Sequence, residues 1–413
     1  MLAMQFKPYR SILYATMKKA IAWIVGLLIA LPAHTQTIAE ATAHAWSRHP
    51  QAAAVVAREA EAQARVELAA GITAGPASIS LSILNDRLNG KAGKQEWEVE
   101  LAAPLWLPGQ RSARAAEAES TVSEVATRRV ALRLQIAGEV REAWWAVAGA
   151  RNARDLAGRR SATARALEAD VLRRFKAGDL ARIDANLAQN ERLAAEAELL
   201  EAEVTLRQVE QTYRGITGDA APLALIAESR APGHEPAAGH SQLAAAAASA
   251  RTARAKLRVT EESRRDAPEL AVRVVRDRAD FHEPYANTIG LKLTIPFSSG
   301  ARVRQESSSA RAEVSQADAE LQLVQQKLKH DAERARLDFD VAVRQLDMAS
   351  ARRDLTEDNL RLAEKSFSLG ESDLATLLRI RAAALDAEAL LARQRVARDA
   401  AISRVNQALG VLP

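Results

Sequence analysis

The sequence of 413 residues contains no cysteine, and only 4% of its residues are aromatic. The absence of cysteine excludes a disulfide framework, a thiolate metal site and a cysteine nucleophile. Because 48% of the residues are nevertheless hydrophobic, alanine and leucine must supply most of the apolar surface. This composition is typical of long α-helices and excludes a disordered chain, so the expected fold class is mainly α.

An export signal accounts for most of the net positive charge. Met17-Lys18-Lys19 precedes an apolar run over residues 20–31, which small residues follow. The run is shorter than the roughly 20 residues of a membrane-spanning helix, so it predicts a cleaved signal peptide over residues 1–35, with Met17 as an alternative start. Residues 1–35 contain four basic and no acidic residues, and their removal lowers the formal charge from +5 to +1. A nucleic-acid-binding function therefore has no electrostatic basis.

Motifs of enzymes and metal sites are also missing from the sequence. It contains no phosphate-binding glycine loop, no Ser/His/Asp set and no HExxH motif, so we expect no enzymatic activity and no cofactor. His234 and His240 flank Glu235 in a linker, where a solvated loop is a simpler interpretation than a metal site. Beyond the signal only Met348 remains, so a thioether pathway for copper or silver is not supported.

An internal repeat with a period of about 190 residues organises the rest of the chain. Phe175-Lys176-Ala177-Gly178-Asp179 matches Phe367-Ser368-Leu369-Gly370-Glu371, and Gly218 matches Gly410 at the same offset. The Pro- and Gly-containing segment 231–236 between the two copies is typical of a linker. We therefore expect a first structural repeat over residues 36–228 and a second over residues 229–413.

Each repeat has the same predicted order of elements. A helix over 37–70 or 239–264 precedes two strands, and a very long helix over 110–174 or 301–366 follows them. A glycine-marked break then leads into a last helix over 179–216 or 371–409. The long helices would reach about 100 Å at 1.5 Å per residue, which is too long to surround an ordinary core. A coiled-coil stripe runs along the second of them, formed by Ala332, Ala335, Phe339, Ala342, Leu346 and Ala349.

The strand segments 77–84, 96–101, 270–275 and 289–295 alternate aliphatic with polar residues. A period of two places the two sets on opposite faces of a sheet. In a transmembrane barrel, one face contacts lipid and the other lines the interior, whereas a soluble half-buried sheet shows the same alternation. Two observations favour the membrane barrel over the soluble sheet. The chain is expected to be exported, and two strands attached to a long helical rod have no local core in which to bury their apolar face. The residues expected to face the pore are Ser78, Ser80, Ser82, Glu96, Glu98, Glu100, Arg273, Lys292 and Thr294.

Four strands cannot close a barrel, because open sheet edges in lipid leave backbone groups unsatisfied. The chain must therefore associate with copies of itself. Two chains would give a side-chain-filled barrel of eight strands, and three would give a water-filled barrel of twelve. Acidic residues on the inner face favour the trimer.

Taken together, the mature chain resembles the TolC-type outer-membrane efflux protein family. The resemblance rests on the duplicated Phe-x-x-Gly-[Asp/Glu] breaks, on the duplicated strand-to-helix turns that end in Gly-x-Arg, and on the segment 37–41 after the signal. It implies a homotrimer in the outer membrane, with a twelve-stranded barrel continued by helices across the periplasm. It further implies an exit duct that works with a periplasmic adaptor (membrane fusion) protein and an inner-membrane pump of the RND type.

The strand-to-helix turns are the expected membrane interface on the periplasmic side, since proline redirects the chain and aromatic rings favour such interfaces. The residues concerned are Pro104, Trp106, Pro108, Gly109, Pro296, Phe297 and Gly300. The segment 106–111 is similar to the heavy-metal (CzcC-like) subgroup of the family. The polar segments 85–93 and 277–287 are expected to face the cell exterior.

The resemblance places the two helix breaks at the periplasmic tip, where we expect a gate held by weak ion pairs between helices. The tip candidates are Arg173, Arg174, Phe175, Gly178, Asp179, Arg182, Asp184, Phe367, Gly370, Glu371, Asp373, Thr376 and Arg379. Some members of the family narrow the aperture with acidic residues six and nine positions after the second glycine. Thr376 and Arg379 occupy these positions here, which leaves the ion preference open.

Two other functions remain compatible with parts of this pattern. One is an exit duct for type I protein secretion, which has the same fold and whose sequence features barely differ. The other is a periplasmic coiled-coil adaptor, which predicts one helical hairpin and no membrane strands. The transported substrate, whether drug, metal cation or protein, is not encoded in these motifs.

Overall fold

Two long helical hairpins and one small sheet make up the chain in the computed structural model. The structure describes residues 36–88, 90, 92–233, 235–236, 239–297 and 300–413. The expected signal peptide over residues 1–35 therefore lies outside the described residues, as does His234. Within these ranges, no helix combines the length and the hydropathy that a membrane span requires.

The first half of the chain contains four helices and two strands. Their bounds are α1 Ile38–Arg48, α2 Pro50–Ala69, β1 Ser78–Asn85, β2 Gln95–Pro104, α3 Gln110–Ala177 and α4 Arg182–Thr217. The second half contains α5 Ser241–Glu262, β3 Glu269–Arg278, β4 Ala286–Thr294, α6 Gly300–Ser368 and α7 Leu374–Ala408. The order of helix, two strands, long helix and returning helix thus occurs twice. The mainly α fold class with four strands is confirmed.

The first predicted helix, over residues 37–70, is wrong as one continuous element. Pro50 has no backbone N–H and favours the first position of a helix, so the chain ends α1 at Arg48 and begins α2 at Pro50. The imidazole Nδ1 of His49 accepts a hydrogen bond from the backbone N–H of Gln51 (3.3 Å) and caps the new helix. At the start of α1, Thr37 and Glu40 form a reciprocal capping box.

Three of the four strands are longer than the alternation predicted, whereas β1 has the predicted length and is shifted by one residue. β3 continues to Arg278 and β4 begins at Ala286, so residues 277–278 and 286–287 belong to the sheet rather than to an outer loop. β2 also extends through Pro104, which pairs in register with Glu269. Proline therefore ends the strand here instead of lying beyond it.

The helices α3 and α6 contain 68 and 69 residues, which correspond to lengths of about 100 Å. α3 packs against α4 and α6 against α7 as antiparallel hairpins. Alanine dominates the buried positions of these contacts; on α6, Ala332, Ala335, Ala342 and Ala349 are all buried, as the predicted stripe requires. Small side chains let the helix backbones approach closely, which explains why a chain with few aromatic residues packs well.

The largest core lies halfway along the hairpins, where α1 joins α3, α4 and α7. Trp144 and Tyr213 are fully buried there, with ring centroids 6.2 Å apart. Burial raises the pKa of the Tyr213 phenol to about 12. A second core at the far end of the hairpins combines residues from all four helices, including Val171, Ala188, Phe367 and Leu374.

A buried arginine fixes the segment between the two halves. Arg141 on α3 forms a bidentate ion pair with Glu228 (2.7 and 2.9 Å) and donates to the carbonyl of Val411 (3.0 Å). The Glu228 carboxylate also accepts from the Ser403 hydroxyl (2.6 Å). Farther along this segment, the backbone N–H of Ala231 donates to Asn406 (2.8 Å). The segment is therefore anchored to α3 and α7.

We expect the Arg141→Ala substitution to lower the free energy of unfolding by about 3–5 kcal/mol, because it leaves the Glu228 carboxylate buried without its partner. Denaturation of the detergent-solubilised protein at fixed concentration measures this effect. The matched control is Arg159→Ala, which removes an exposed ion pair with Glu388 (2.7 Å) and should cost only about 0–1 kcal/mol. Equal decreases in the free energy of unfolding of the two variants would contradict the stabilising role assigned to the ion pair between Arg141 and Glu228.

Candidate functional site: the two-faced sheet and the helix tips

The four strands form one antiparallel sheet in the order β1-β2-β3-β4. Its register places the predicted pore-facing residues on a single face. Ser80 pairs with Glu100, Glu100 with Arg273, and Arg273 with Gly290; in another row, Ser82 pairs with Glu98. Directly paired residues point to the same side of a sheet, so these rows form a polar face. Ser78, Glu96, Lys292 and Thr294 belong to it by the same register.

The opposite face of the sheet is almost entirely apolar. One row contains Ile79, Leu101, Val272 and Leu291, and the next contains Leu81, Val99, Val274 and Ile289. All of these side chains are exposed, with Leu291 at 77% and Leu81 at 64%. Within the described chain, no helix or loop covers this face.

Charges on the polar face lie close enough to neutralise one another in part. Arg273 lies 3.5 Å from Glu98, and Lys292 lies 3.5 Å from Glu100. Most of the remaining side chains of the face carry a hydroxyl or carboxylate group or are small, and Leu84 and Val275 are the aliphatic exceptions in the described register. Such a surface is suited to contact with water rather than lipid.

Both edges of the sheet lack a partner strand among the described residues of one chain. Within these residues, β1 pairs only with β2, and β4 pairs only with β3. Each edge therefore presents a row of backbone N–H and C=O groups to a further strand. The sheet is incomplete on its apolar face and at both edges.

The strand-to-helix turns hold the two halves of the chain together. The backbone N–H of Leu105 donates to the carbonyl of Pro268 (2.6 Å). The side chain of Gln110, which is 5% exposed, accepts from the backbone N–H of Leu107 (3.1 Å) and donates to the Ser263 hydroxyl (3.0 Å). The sequence motifs did not identify Gln110, because its partner lies 153 residues away.

The two aromatic residues at these turns have different environments. The indole N–H of Trp106 donates to the carbonyl of Gly71 (3.2 Å), so this ring is fixed at the bend. Phe297 is 95% exposed, without a packing partner among the described residues. Gly109 and Gly300 flank the beginnings of α3 and α6, and Pro108 and Pro296 precede them in the turns. Their role at a membrane interface stays a prediction.

The helix breaks are built in the same way in both halves. Gly178 and Gly370 adopt φ values of +87° and +76°, a conformation that side-chain-bearing residues rarely adopt. A Cβ atom would meet nothing at either position, so the backbone conformation rather than a lack of space requires glycine. Phe367 is 8% exposed in the terminal core, whereas its counterpart Phe175 is 37% exposed.

Acidic residues at the tip cap the returning helices. Asp184 accepts from the backbone N–H of Ala181 (3.1 Å), and Asp373 accepts from that of Thr376 (2.9 Å). Hydrogen bonds from the side chain and backbone of Thr376 hold the pKa of the Asp373 carboxyl below its usual range, and the charge of Arg379 adds to the effect. The stabilisation from the Asp373 cap is thus fully present at pH values above the ordinary pKa of an Asp carboxyl. It is lost as the pH falls through the lowered pKa of Asp373.

Arginines at the tip pair locally rather than between helices. Arg173 and Arg174 both contact Asp170 on their own helix, at 2.9 and 3.1 Å. The guanidinium of Arg174 also lies 5.3 Å from the centre of the Phe367 ring and so joins the two hairpins. Asp170 was not among the sequence candidates, although its spacing of three and four residues from these arginines is a recognisable signal.

Four tip candidates, Asp179, Arg182, Glu371 and Arg379, make no ion pair with another described residue of the chain. Arg182 and Arg379 are exposed near the start of α4 and α7. Ion pairs that hold a gate would therefore have to form between copies of the chain. That arrangement stays a prediction.

The expectation of a solvated loop at His240 is wrong. The His240 side chain is 2% exposed, and its Nδ1 accepts from the backbone N–H of Gln242 (3.3 Å) at the start of α5. Burial lowers the pKa of this imidazole. Within the described ranges, no group of three or more histidine or acidic side chains is placed to hold a metal ion.

The family model described as outer membrane efflux protein matches residues 234–411. The comparison with curated protein sequences gave no match.

Solved structures of outer-membrane proteins share the fold over most of the chain. VceC from Vibrio cholerae is 17% identical, with a TM-score of 0.75 over 91% of this chain and 96% of its own. CusC, whose structures concern transmembrane channel formation, is 13% identical, with a TM-score of 0.77 over 91% and 92%. The CmeC outer membrane channel from Campylobacter jejuni is 13% identical, with a TM-score of 0.74 over 90% and 85%.

The match to each of these proteins extends over both halves of this chain. A periplasmic adaptor with one hairpin and no membrane strands does not fit the two hairpins and four strands described above. The second half of the chain thus resembles the outer membrane efflux protein family over residues 234–411, and both halves together share the fold of these solved outer-membrane proteins.

Proposed function

We propose that this chain is one subunit of a trimeric exit duct in the outer membrane, which conducts substrates passively from the periplasm to the exterior. The observation that carries the proposal is the sheet with an exposed aliphatic face, a charged opposite face and two unpaired edges. Lipid would cover the aliphatic face, and neighbouring copies of the chain would pair with the two edges and enclose the charged face.

The number of copies follows from the strands and the charge of the polar face. A barrel in lipid has no open edges, so the four strands of one chain must join others. Eight strands leave an interior just wide enough for side chains, whereas twelve leave room for water. Glu98, Glu100, Arg273 and Lys292 need that water, because buried charges are costly even when paired. Three chains therefore fit better than two.

The dimensions of the apolar face match an outer-membrane barrel. An extended chain from Asn287 to Phe297 covers about 34 Å at 3.4 Å per residue. A strand tilt of 35–45° reduces this to a height of about 24–28 Å, close to the apolar band of about 25 Å in such barrels. Phe297 would lie at the periplasmic boundary of the band, where aromatic side chains are favoured.

The helices extend the duct away from the membrane. Three copies of the two hairpins would give twelve helices around a water-filled lumen of about 100 Å, long enough to cross much of the periplasm. The exposed Phe175 and Leu369 (37% and 63%) would lie at the free end, where an adaptor protein and an inner-membrane pump would dock. Selectivity would then come from the pump, while the chain supplies the passage.

Weak contacts at the free end suit a gate that must open. Each hairpin turn is fixed by its own caps and glycine, so the turns can move as units when contacts between copies break. Arg182 and Arg379 are the exposed cations available for such contacts, and exposed ion pairs contribute only about 0–1 kcal/mol each. Docking of a partner protein could therefore supply the opening energy.

The two faces of β4 offer a direct test of membrane insertion. Leu291→Arg places a charge on the apolar face at a cost of about 2–4 kcal/mol near the bilayer midplane. We expect it to reduce the amount of assembled trimer in the outer-membrane fraction, as measured by native gel electrophoresis.

The matched control is Thr288→Arg, three residues earlier on the polar face, which we expect to leave the trimer yield unchanged. Similar yields for the two variants, high or low, would show that the faces of the sheet do not differ in their surroundings and would reject the membrane barrel.

The gate is tested by removing both exposed cations of the tip. The double substitution Arg182→Ala and Arg379→Ala should raise the conductance of the closed trimer in planar bilayers about two- to fivefold, since the two lost pairs together contribute about 0.5–1 kcal/mol. Arg207→Ala, which removes an exposed arginine of α4 far from the tip, is the control. Unchanged conductance in the double variant would remove these residues from the gate.

A further inference from the structure

The apolar face of the sheet ends in two arginines at the end opposite the helices. From the helix end of β3 onward, this face contains Leu270, Val272, Val274, Arg276 and Arg278. Arg276 pairs with Trp97 on one side and with Asn287 on the other, so its side chain lies on the apolar face. A charged residue on a lipid-facing surface is costly unless it lies at the boundary of the hydrocarbon or meets a partner.

Aromatic rings hold both guanidinium groups. Arg276 lies 4.6 Å from the centre of the Tyr285 ring, and Arg278 lies 4.9 Å from the same ring. Arg278 also lies 5.2 Å from the Phe281 ring and donates through Nε to the carbonyl of Gly93 (3.1 Å). The Tyr285 hydroxyl in turn donates to the Gln95 amide oxygen (2.5 Å). The positions of the two cations are therefore fixed before any ligand binds.

Neither arginine is neutralised by a carboxylate among the described residues. Asp277, between them in sequence, pairs in register with Glu96 and Ala286 and so points to the polar face. Asp280 accepts from the backbone N–H groups of His282 and Glu283, and Asp86 accepts from that of Ala92. The cluster of Arg276, Arg278 and Tyr285 thus keeps two unpaired positive charges, and Arg276 is exposed.

We propose that this cluster, which we call the distal arginine cluster, binds the phosphate of a phosphorylated lipid headgroup in the outer leaflet. The proposal rests on the proposed function, because the cluster lies at the cell-surface boundary of the band only if the sheet forms an outer-membrane barrel. The planar guanidinium fork matches phosphate oxygens in two-point contacts. Trp97 beside Arg276 supplies an aromatic ring at the same boundary, where the acyl chains of that lipid begin.

A phosphorylated lipid explains the arrangement better than solvent does. If the two arginines only extended toward water, aromatic rings packed against their guanidinium groups would not be needed. If the aromatic rings only anchored the chain at the membrane interface, the neighbouring cations would not be needed. The outer leaflet of an outer membrane is rich in phosphorylated glycolipid, which offers an anionic headgroup and acyl chains together. Three copies of the chain would place three such clusters around the barrel.

The experiment compares two lipids on one protein. Wild-type trimer in a neutral detergent is titrated with lipid A carrying both phosphates and with enzymatically dephosphorylated lipid A, and bound lipid is counted by native mass spectrometry. We expect the phosphorylated form to bind about tenfold more tightly or better, given two basic side chains per site. Inorganic phosphate at equal concentration should not compete, since it lacks the chains that contact Trp97 and the aliphatic rows.

Substitutions of the arginines then test whether the lipid binds at the distal arginine cluster. Arg276→Gln with Arg278→Gln should remove the preference for the phosphorylated form. The control Arg264→Gln with Arg265→Gln removes two exposed arginines at the helix end of the sheet and should retain the preference. If the double variant of the cluster fails to assemble, the two-lipid comparison on wild type still decides, because it needs no substitution.

The outcomes separate this inference from the proposed function. Equal affinity of an inserted, conducting wild-type trimer for the two lipids would overturn the inference and leave the duct intact. Competition by inorganic phosphate would show a free-anion site and would also overturn it. Failure of the wild type to insert or to form trimers would instead contradict the proposed function.

Discussion

The edges of the sheet constrain the rest of the structure. In hydrocarbon, each unpaired backbone N–H or C=O group is costly, and four strands cannot pair all of theirs. The chain therefore depends on its copies for a complete barrel. The register determines what such a barrel would be, because it places aliphatic rows on one side and Glu98, Glu100, Arg273 and Lys292 on the other. In the proposed trimer, the same association of copies would close the sheet and enclose a water-filled interior.

The helices follow from a different physical requirement. A wall of helices around water has no deep core, so its stability must come from close contacts along its length. Alanine at buried positions such as Ala195, Ala332 and Ala387 provides them. Larger side chains gather where α1 packs on the middle of the hairpins and again at the tip. Beside the middle core, Arg141 and its partners fix the connecting segment, which joins the two halves of the chain.

Local patterns predicted much of this architecture. The period of two in β1 and β4 gave the faces of the sheet, and the absence of proline and near-absence of glycine gave the lengths of α3 and α6. The paired Phe-x-x-Gly segments marked the hairpin turns, where Gly178 and Gly370 adopt the expected backbone. Each of these features depends on residues only a few positions apart in the chain. They can therefore be predicted from the sequence alone.

What could not be predicted depends on distant residues or on competing local effects. Gln110 and Arg141 bind partners more than 80 residues away, so no spacing reveals them. Asp184 and Asp373 were expected to pair with arginines, but the nearer backbone N–H groups of their own helices compete for them. His240 was assigned to a solvated loop because of the polar linker beside it, whereas its ring packs against Gly410, with which it shares no local motif.

The central claim is that three copies of this chain complete one barrel. The mass of the complex extracted from the outer-membrane fraction in mild detergent and measured by native mass spectrometry tests it most directly. The account predicts a single species of three mature chains, with no free monomer at equilibrium. A soluble monomer in the periplasmic fraction, or a complex of two chains, would contradict it.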